Sequence, residues 1–388
     1  MRILLVNYEF PPIGGGAATA TFFLAKSLLA QGHQVCVMTS AIDDLPYRSV
    51  EEGIEVLRLP TLRKLKDRAN ILEMGSFSIM GLLRLPSIVG EFKPNCAIVM
   101  FSIPCGHIGL ALNKFWNIPY VISLRGGDVP HFNPSVDRFH RCLRPLRHMI
   151  LGRACAVVAN SVGLAKLSYE TDPFDIVVIP NGVDCHFFRP SKRDMPATRY
   201  FNFLFVGRFS SEQKNLARLL EELATLNQSY PGQFLFQIVG DGPEKESLMR
   251  LAVQLGLENI VVWHGWIDRK NLQELYQSSD CLINASLVEG MSNVVLEAMA
   301  SGLPVIASAV RGNTETVNHG ESGLLFDLDR PDDFQKMLRH VLEDRDAARA
   351  LGIRAREIAQ ARFSWDSAAE SYMALFDSPA KATLPYAV

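Results

Sequence analysis

Two constellations in the second half of the chain have the residue types and spacing that chemistry requires. In FLFVGRFSSEQKNLARLL, Arg208 leaves an apolar run and Lys214 lies six residues on, just before a helical pattern. Arginine offers a planar bidentate fork and lysine a point charge, a pairing that suits a diphosphate; two solvated surface cations would read the same way. In SLVEGMSNVVLEAMASGLPVIAS, Glu289 falls in a loop, Ser292 or Asn293 is a helix N-cap candidate, and Glu297 lies inside the first turns of the helix that follows. A helix start of this kind presents amide donors to an anion. Carboxylates beside a phosphate would repel it, so their useful work is to accept hydrogen bonds from hydroxyls. A sugar and a ribose on either side of a diphosphate supply such hydroxyls.

A third feature, Gly14, Gly15 and Gly16, follows a short apolar run and precedes a helix. It reads either as an anion-receiving loop or as a flexible turn. The dinucleotide fingerprint G-x-G-x-x-G/A fails, because Thr19 occupies its third glycine position. Asp327-Leu328-Asp329 spells D-x-D, a spacing that can hold a metal ion, but it fits a strand end running into a helix start. No metal site is expected.

These residues must be positioned by something, and short apolar runs alternating with helical patterns supply it. Strands are expected at 3–7, 34–39, 54–58, 96–101, 120–124, 156–160 and 176–179, with a helix at 17–31 closed by Gly32. After a polar, proline-containing stretch at 189–200 the pattern restarts, with strands at 203–206, 235–239, 260–263, 281–284 and 305–307 and helices at 215–226, 244–255, 272–278, 294–300 and 332–342. A final helix is expected at 364–376. The alternation predicts two doubly wound α/β domains in series, with the ligand where the carboxyl ends of their strands meet.

Composition bounds the rest. The chain has 388 residues, long enough for two domains, with 39 Lys and Arg against 41 Asp and Glu, which excludes a strongly basic nucleic-acid binder and a disordered chain. Its seven cysteines are scattered and never spaced C-x-x-C, so neither a disulfide framework nor a zinc site is expected, and a reducing cytoplasm fits. The N-terminal apolar run is too short for a signal-peptide core. Residues 94–113 carry no Asp, Glu, Lys or Arg, yet Asn95, Pro104 and Gly106 break them into a strand, a turn and a helix rather than a membrane span.

Taken in order, FPPIGGGAATATFFLAKSLLAQGH, SLRGGDVP, VVANSVGLAKL with VIPNGVD, VGRFSSEQKN, IVGDGPEKESL and VEGMSNVVLEAMASGLPVIAS resemble the retaining nucleotide-sugar glycosyltransferases of family four, over nearly the whole chain. The resemblance implies the GT-B architecture: two Rossmann-like doubly wound parallel-sheet domains facing across a cleft. An acceptor-binding domain would occupy 1–190 and a nucleotide-sugar domain 191–363, with a helix and tail at 364–388 crossing back toward the first.

Carried over by position, the resemblance puts Arg208 and Lys214 on the donor diphosphate and Glu289 on hydroxyls of the transferred sugar. Gly290, Met291, Ser292 and Asn293 would supply amides, and Glu297 would hold the ribose. Gly240 would belong to the donor site, and backbone from Gly265 to Ile267 would face a nucleobase of the UDP or GDP type. Gly15 and Gly16 would close over the phosphates. Where many relatives have histidine after the strand at 120–124, this chain has Arg125, followed by Gly126, Gly127 and Asp128. Roles for Asp128 in catalysis and for Arg125 on the acceptor side are therefore expectations, set against a turn role for Asp128. The implied reaction needs no cofactor beyond the donor, and its acceptor would be a glycan or a lipid-linked molecule. An NAD-dependent oxidoreductase and a GT-B-like sugar-nucleotide epimerase remain as alternatives.

The near-neutral total conceals an asymmetry: residues 1–190 hold 19 Lys or Arg against 15 Asp or Glu, and the remainder 20 against 26. Part of the first excess is in RFHRCLRPLRHMILGR, where Arg138, Arg141, Arg144, Arg147 and Arg153 alternate with apolar residues. Such a segment is expected either to lie on an anionic membrane surface or to be a solvated helix face.

Overall fold

The computed structural model describes residues 1–42, 45–66, 69–133, 136–191, 200–210, 213–330 and 332–377. Most of the expected linker, 192–199, lies outside them. The chain divides into two units, one formed by Met1–Gly182 with the helix Trp365–Asp377, the other by Val183–Ser364.

The first unit runs β1 (Arg2–Val6), α1 (Gly16–Ala30), β2 (Gln34–Ser40), β3 (Arg48–Glu51), β4 (Ile54–Leu59), α2 (Ile71–Phe92), β5 (Cys96–Met100), α3 (Gly106–Trp116) and β6 (Tyr120–Leu124). It continues through α4 (Asp137–Cys142), α5 (Arg144–Arg153), β7 (Ala156–Ala159), α6 (Val162–Thr171) and β8 (Ile176–Val178). The sheet order is β3-β4-β2-β1-β5-β6-β7-β8. Alternation along β1 explains the layers: Ile3 and Leu5 enter the core under α1 and the C-terminal helix, while Leu4 and Val6 enter the opposite core under α2 and α3. All strand neighbours are parallel except β3, which returns antiparallel onto β4 through Glu52 and Gly53, both at positive φ. This two-residue hairpin turn was not expected from sequence.

Nor was α2, although it is the longest helix among the described residues. Asn70 and Glu73 close a reciprocal capping box at its start, and Lys93 ends it in the left-handed conformation. Its apolar residues lie on more than one face, which obscures the 3.6-residue period that would have revealed it. The uncharged stretch at 94–113 resolves into β5, a turn and most of α3.

The second unit runs β9 (Phe201–Val206), α7 (Leu216–Ser229), β10 (Phe234–Val239), α8 (Lys245–Gln254), β11 (Val261–Gly265), α9 (Arg269–Ser278), β12 (Cys281–Asn284), α10 (Asn293–Ala300), β13 (Val305–Ser308) and α11 (Arg311–Thr316). Then come β14 (Leu324–Phe326), α12 (Asp333–Glu343) and α13 (Arg345–Arg362), before α14 (Trp365–Asp377) joins the first unit. The sheet is wholly parallel in the order β11-β10-β9-β12-β13-β14. Phe201, Phe203 and Phe205 project from one face of β9 onto Leu216, Leu219, Leu220, Leu223 and Leu226, the buried stripe of α7. The unit begins at Val183, before the expected boundary, because the Val183 N–H bonds to the Phe363 carbonyl and Phe188 packs edge-on against Tyr276.

Candidate functional site

In the second sheet the chain lays β9, β10 and β11 outward in one direction, then places β12 on the other side of β9. Loops leaving β9 and β12 therefore stand at the switch point of the sheet, where folds of this kind bind their ligands. These are the two loops that carry Arg208 with Lys214 and Glu289 with α10.

The loops are joined at their charged groups. The Lys214 ammonium pairs with Glu289 Oε1, both side chains being largely buried, and the Ser286 hydroxyl donates to the same oxygen at 2.9 Å. The Leu287 N–H donates to the Gln213 carbonyl at 2.8 Å, so backbone also spans the gap. Asn284, the last residue of β12, accepts from the Ser286 hydroxyl and donates from Nδ2 to the Ser292 hydroxyl at 3.1 Å. Ser292 stands at the N-cap of α10, yet its side chain makes no capping bond to the helix amides. The helix start thus lies at the switch point without its own side chain capping it. Gly312 lets α11 lie on this loop: a Cβ there would come within 2.4 Å of the Gly290 carbonyl and 2.7 Å of that of Glu289.

Arg208 is half-buried on the loop after β9. Its neighbour Gly207 donates to the Val239 carbonyl, and Gly240 donates to that of Gly265 at 2.9 Å. Gly240 has φ +135, and a Cβ on it would lie 1.8 Å from the Gly207 oxygen. Its glycine is demanded by this close approach of two strand ends. Gly265 ends β11 at positive φ, with Trp266 fully projecting and Ile267 half-buried beyond it.

Glu297 faces Tyr276 of α9, whose hydroxyl donates to Glu297 Oε2 at 3.1 Å. Burial pushes the Glu297 carboxyl up to about 7, while the Tyr276 hydrogen bond and the charge of Arg269 pull it partly back. Burial and the Glu297 carboxylate drive Tyr276 well above the usual phenol range, so it stays a donor.

The first unit has its own switch point, between β1 and β5. The loop after β1 brings Gly14 to φ +93 with its N–H on the Lys66 carbonyl at 2.7 Å. A Cβ on Gly14 would lie 2.6 Å from Cβ of Glu9, whereas one on Gly15, the N-cap of α1, would meet nothing within 4 Å. The glycine that geometry requires is therefore Gly14, and Gly15 leaves open space at the helix start. Beneath them Glu9 is buried 3.7 Å from Arg63, and burial raises its carboxyl above the ordinary range.

Arg125 follows β6 and is half-buried, with its guanidinium on Asn181 Oδ1 at 2.7 Å. Asp128 is fully buried, accepting from the Ser102 N–H at 2.6 Å and the Arg125 N–H at 2.9 Å. Each carboxylate oxygen thus accepts from a backbone N–H, an arrangement that fits the turn reading of Asp128 and ties it to the backbone of Arg125.

The arginine segment needs a correction. Arg138, Arg141, Arg144 and Arg153 are exposed, but Arg147 is buried and forks onto Asp172, with Nη2 at 3.2 Å from Oδ1. It cannot reach a membrane surface. Among the described residues no group of three or more His, Cys, Asp or Glu could hold a metal ion, and the D-x-D aspartates sit after β14, with Asp327 paired to Arg330.

Sequence reasoning missed Tyr276, Ser286, Asn284, Glu9 and Arg63. The polar pair Asn284 and Ser286 directly after an apolar strand was the available signal for two of them. No spacing rule connects Tyr276 to Glu297 or Glu9 to Arg63, which are brought together by helix and loop packing.

Two doubly wound domains, with cations, carboxylates and a helix start gathered at the switch point of the second, define the GT-B class of glycosyltransferase. Residues 14–187 match the family described as Glycosyltransferase Family 4 and residues 191–358 match Glycosyl transferases group 1. The chain belongs to this family. It is 29% identical to a D-inositol 3-phosphate glycosyltransferase of Corynebacterium kroppenstedtii, over 95% of this chain and 87% of that one. It is similar in fold to a sucrose-phosphate synthase from Thermosynechococcus elongatus (TM-score 0.84, 23% identity, 97% and 98% of the two chains). The HepE protein of Anabaena, solved with UDP-glucose, is also similar in fold (TM-score 0.76, 20% identity, 97% and 99% covered).

Proposed function

We propose that this glycosyltransferase moves a sugar from a nucleoside diphosphate donor to a hydroxyl of a glycan or lipid-linked acceptor, with retention at the anomeric carbon. Its setting is the synthesis of a cell-envelope polysaccharide or glycolipid, at the cytoplasmic face of the membrane. The observation that carries the reading is the Lys214–Glu289 pair set beside the open start of α10 at the switch point. A diphosphate is neutralised there by Arg208, Lys214 and the helix dipole, and these supply the charge compensation without a metal ion. Glu289 accepts from hydroxyls of the transferred sugar, Glu297 from the ribose, and the backbone at Gly265 to Ile267 faces the base.

In the transfer step the bond from the anomeric carbon to the phosphate oxygen breaks and the acceptor oxygen bonds to that carbon on the same face. The acceptor proton passes to the departing phosphate oxygen, so the step balances without a side-chain base. Arg125, held by Asp128, belongs to the acceptor side. Arg138, Arg141, Arg144 and Arg153 remain available to an anionic surface.

A thermal-shift panel of UDP, GDP, ADP and NAD tests the donor. A nucleotide at a hundred times its dissociation constant adds about 2.7 kcal/mol of stability. Stabilisation by UDP or GDP supports the reading; stabilisation by NAD alone replaces it with an oxidoreductase, and an altered sugar nucleotide recovered without acceptor replaces it with an epimerase. The anomeric coupling of the product, read by proton NMR, checks retention.

A further inference from the structure

Where the first unit buries a guanidinium, it supplies a carboxylate. Arg58, Arg63 and Arg147 are each more than nine-tenths buried, and they pair with Glu51, Glu9 and Asp172. Arg125 breaks this pattern. It is half-buried at the carboxyl end of β6, yet among the described residues it forms no ion pair. Its Nη1 donates to the Asn181 amide oxygen at 2.7 Å, and its Nη2 meets the Met100 sulfur, a weak acceptor, at 3.2 Å. The Nε is buried and donates to nothing. The carboxylate closest in sequence, Asp128, takes the backbone N–H of Arg125. A charge drawn partly out of water with neutral partners alone is destabilising, and an anion relieves it.

A second unused group stands on the next strand. Leu124 and Ala159 are the last registered pair of β6 and β7, so Arg125 and Asn160 follow on adjacent strand ends. Asn160 is 5% exposed, and its Oδ1 has no hydrogen-bond partner. Both residues lie at the carboxyl edge of the first sheet, the edge on which doubly wound folds bind ligands. The loop beyond leaves room, because Gly127 is exposed and a Cβ on it would meet nothing within 4 Å.

We propose that Arg125 binds a carboxylate or phosphate carried by the acceptor, so that the sugar accepting the transfer is an acidic or a phosphorylated one. The bound anion supplies the counter-charge that the chain omits. A guanidinium presents a planar fork that meets either group with two parallel hydrogen bonds, which an ammonium cannot do. In the proposed function Arg208 and Lys214 of the second unit already compensate the donor diphosphate, which leaves Arg125 for a second anion. The inference rests on the assignment of the first unit to the acceptor and deepens it by naming the acceptor's charge.

The test is a ligand-observed NMR titration of the full chain with glucuronate, glucose 6-phosphate and glucose, each with and without UDP. The wild type is expected to bind at least one of the two anionic sugars about tenfold or more tightly than glucose, the scale of a hydrogen bond to a charged group. Preference for glucuronate alone identifies a carboxylate, and preference for glucose 6-phosphate alone a phosphate. Arg125→Gln should abolish the preference, and Arg125→Lys should restore part of it, since it keeps the charge without the fork. Circular dichroism and the melting temperature establish that the variants are folded. The proposal is overturned if neither anionic sugar binds, if glucose binds as tightly as both, or if Arg125→Gln keeps the preference. Should the glutamine variant not fold, a preference unchanged in Arg125→Lys overturns the fork in its place. The proposal falls equally if Arg125→Gln weakens UDP and leaves the sugars unaffected, which would put the guanidinium on the donor. Selective binding of an anionic sugar by a protein that responds to no nucleotide would sink the donor reading and leave this one standing.

Discussion

The Tyr276 hydroxyl reaches from α9 to donate a 3.1 Å hydrogen bond to the Glu297 carboxylate on α10. It is the hydrogen bond given to a group whose proton affinity has been lifted to about 7 by burial. Ribose hydroxyls would donate to the same carboxylate and favour its charged form, so donor binding should expel a proton. Nucleotide affinity is then expected to fall as pH drops through 7, by up to tenfold per unit. The unliganded fold runs the other way. A carboxyl raised above its unfolded value contributes stability that is complete below that value and is lost as pH rises toward 7. Tyr276→Phe removes a bond that lowers the Glu297 value, so the midpoint of the affinity profile should move upward. Calorimetric titration with UDP or GDP on both sides of pH 7 checks this, and a flat profile in both proteins would remove Glu297 from the ribose.

Lys214 and Glu289 should fail as a unit. Lys214→Ala and Glu289→Ala are each expected to lower transfer on the order of a hundredfold or more, because each removes a group that the proposed function sets on the donor and leaves its partner unmatched in a partly buried pair. The double variant should lose little more than the worse single one. Glucosyl or galactosyl transfer from UDP-sugars, alongside circular dichroism, gives the comparison; full activity in either single variant excludes that residue from the site.

Much of this site was legible because it is local. Arg208 and Lys214 share one loop, Glu289 and Glu297 share a loop and its helix, and the alternation of β9, α7 and β10 to β12 announces a parallel sheet whose switch point must lie between those loops. What escaped is non-local or hidden by composition. Tyr276 meets Glu297 only because α9 packs beside α10, and Arg63 meets Glu9 through a long connection between strands. The helix α2 was missed because a sequence apolar on two faces has no single stripe to read, and Arg147 passed for a surface cation because nothing in its neighbourhood names Asp172 as its partner. The family resemblance singled out the same loops as spacing did, since both depend on contiguous residues.

Close approach at the switch point predicts an asymmetry between two glycines. Gly240→Ala puts a Cβ 1.8 Å from the Gly207 carbonyl at φ +135, so the ends of β9 and β10 must separate. A loss of about 3 kcal/mol or more is expected, or failure to fold. Gly15→Ala meets no atom within 4 Å, and its backbone is at negative φ, so its melting temperature should stay near that of the wild type. Urea denaturation of the two variants measures the difference, and equal stability would contradict the backbone contact at Gly240.

Two arginines three residues apart on α5 should behave oppositely. Arg147 and Asp172 are fully buried against each other, and His148 adds a 2.6 Å contact to the same carboxylate. Arg147→Ala strands the Asp172 charge in the interior, a defect that costs about 3 to 5 kcal/mol. Arg144 is exposed, and Arg144→Ala should fall within about 0.5 kcal/mol of the wild type. Combining Arg147→Met with Asp172→Leu should recover most of the loss, because removing both charges with similar volume leaves nothing unpaired. Guanidinium unfolding of the three proteins decides whether the pair is structural; a small effect of Arg147→Ala would mean that the segment opens in solution and would return Arg147 to the exposed cations of the first unit.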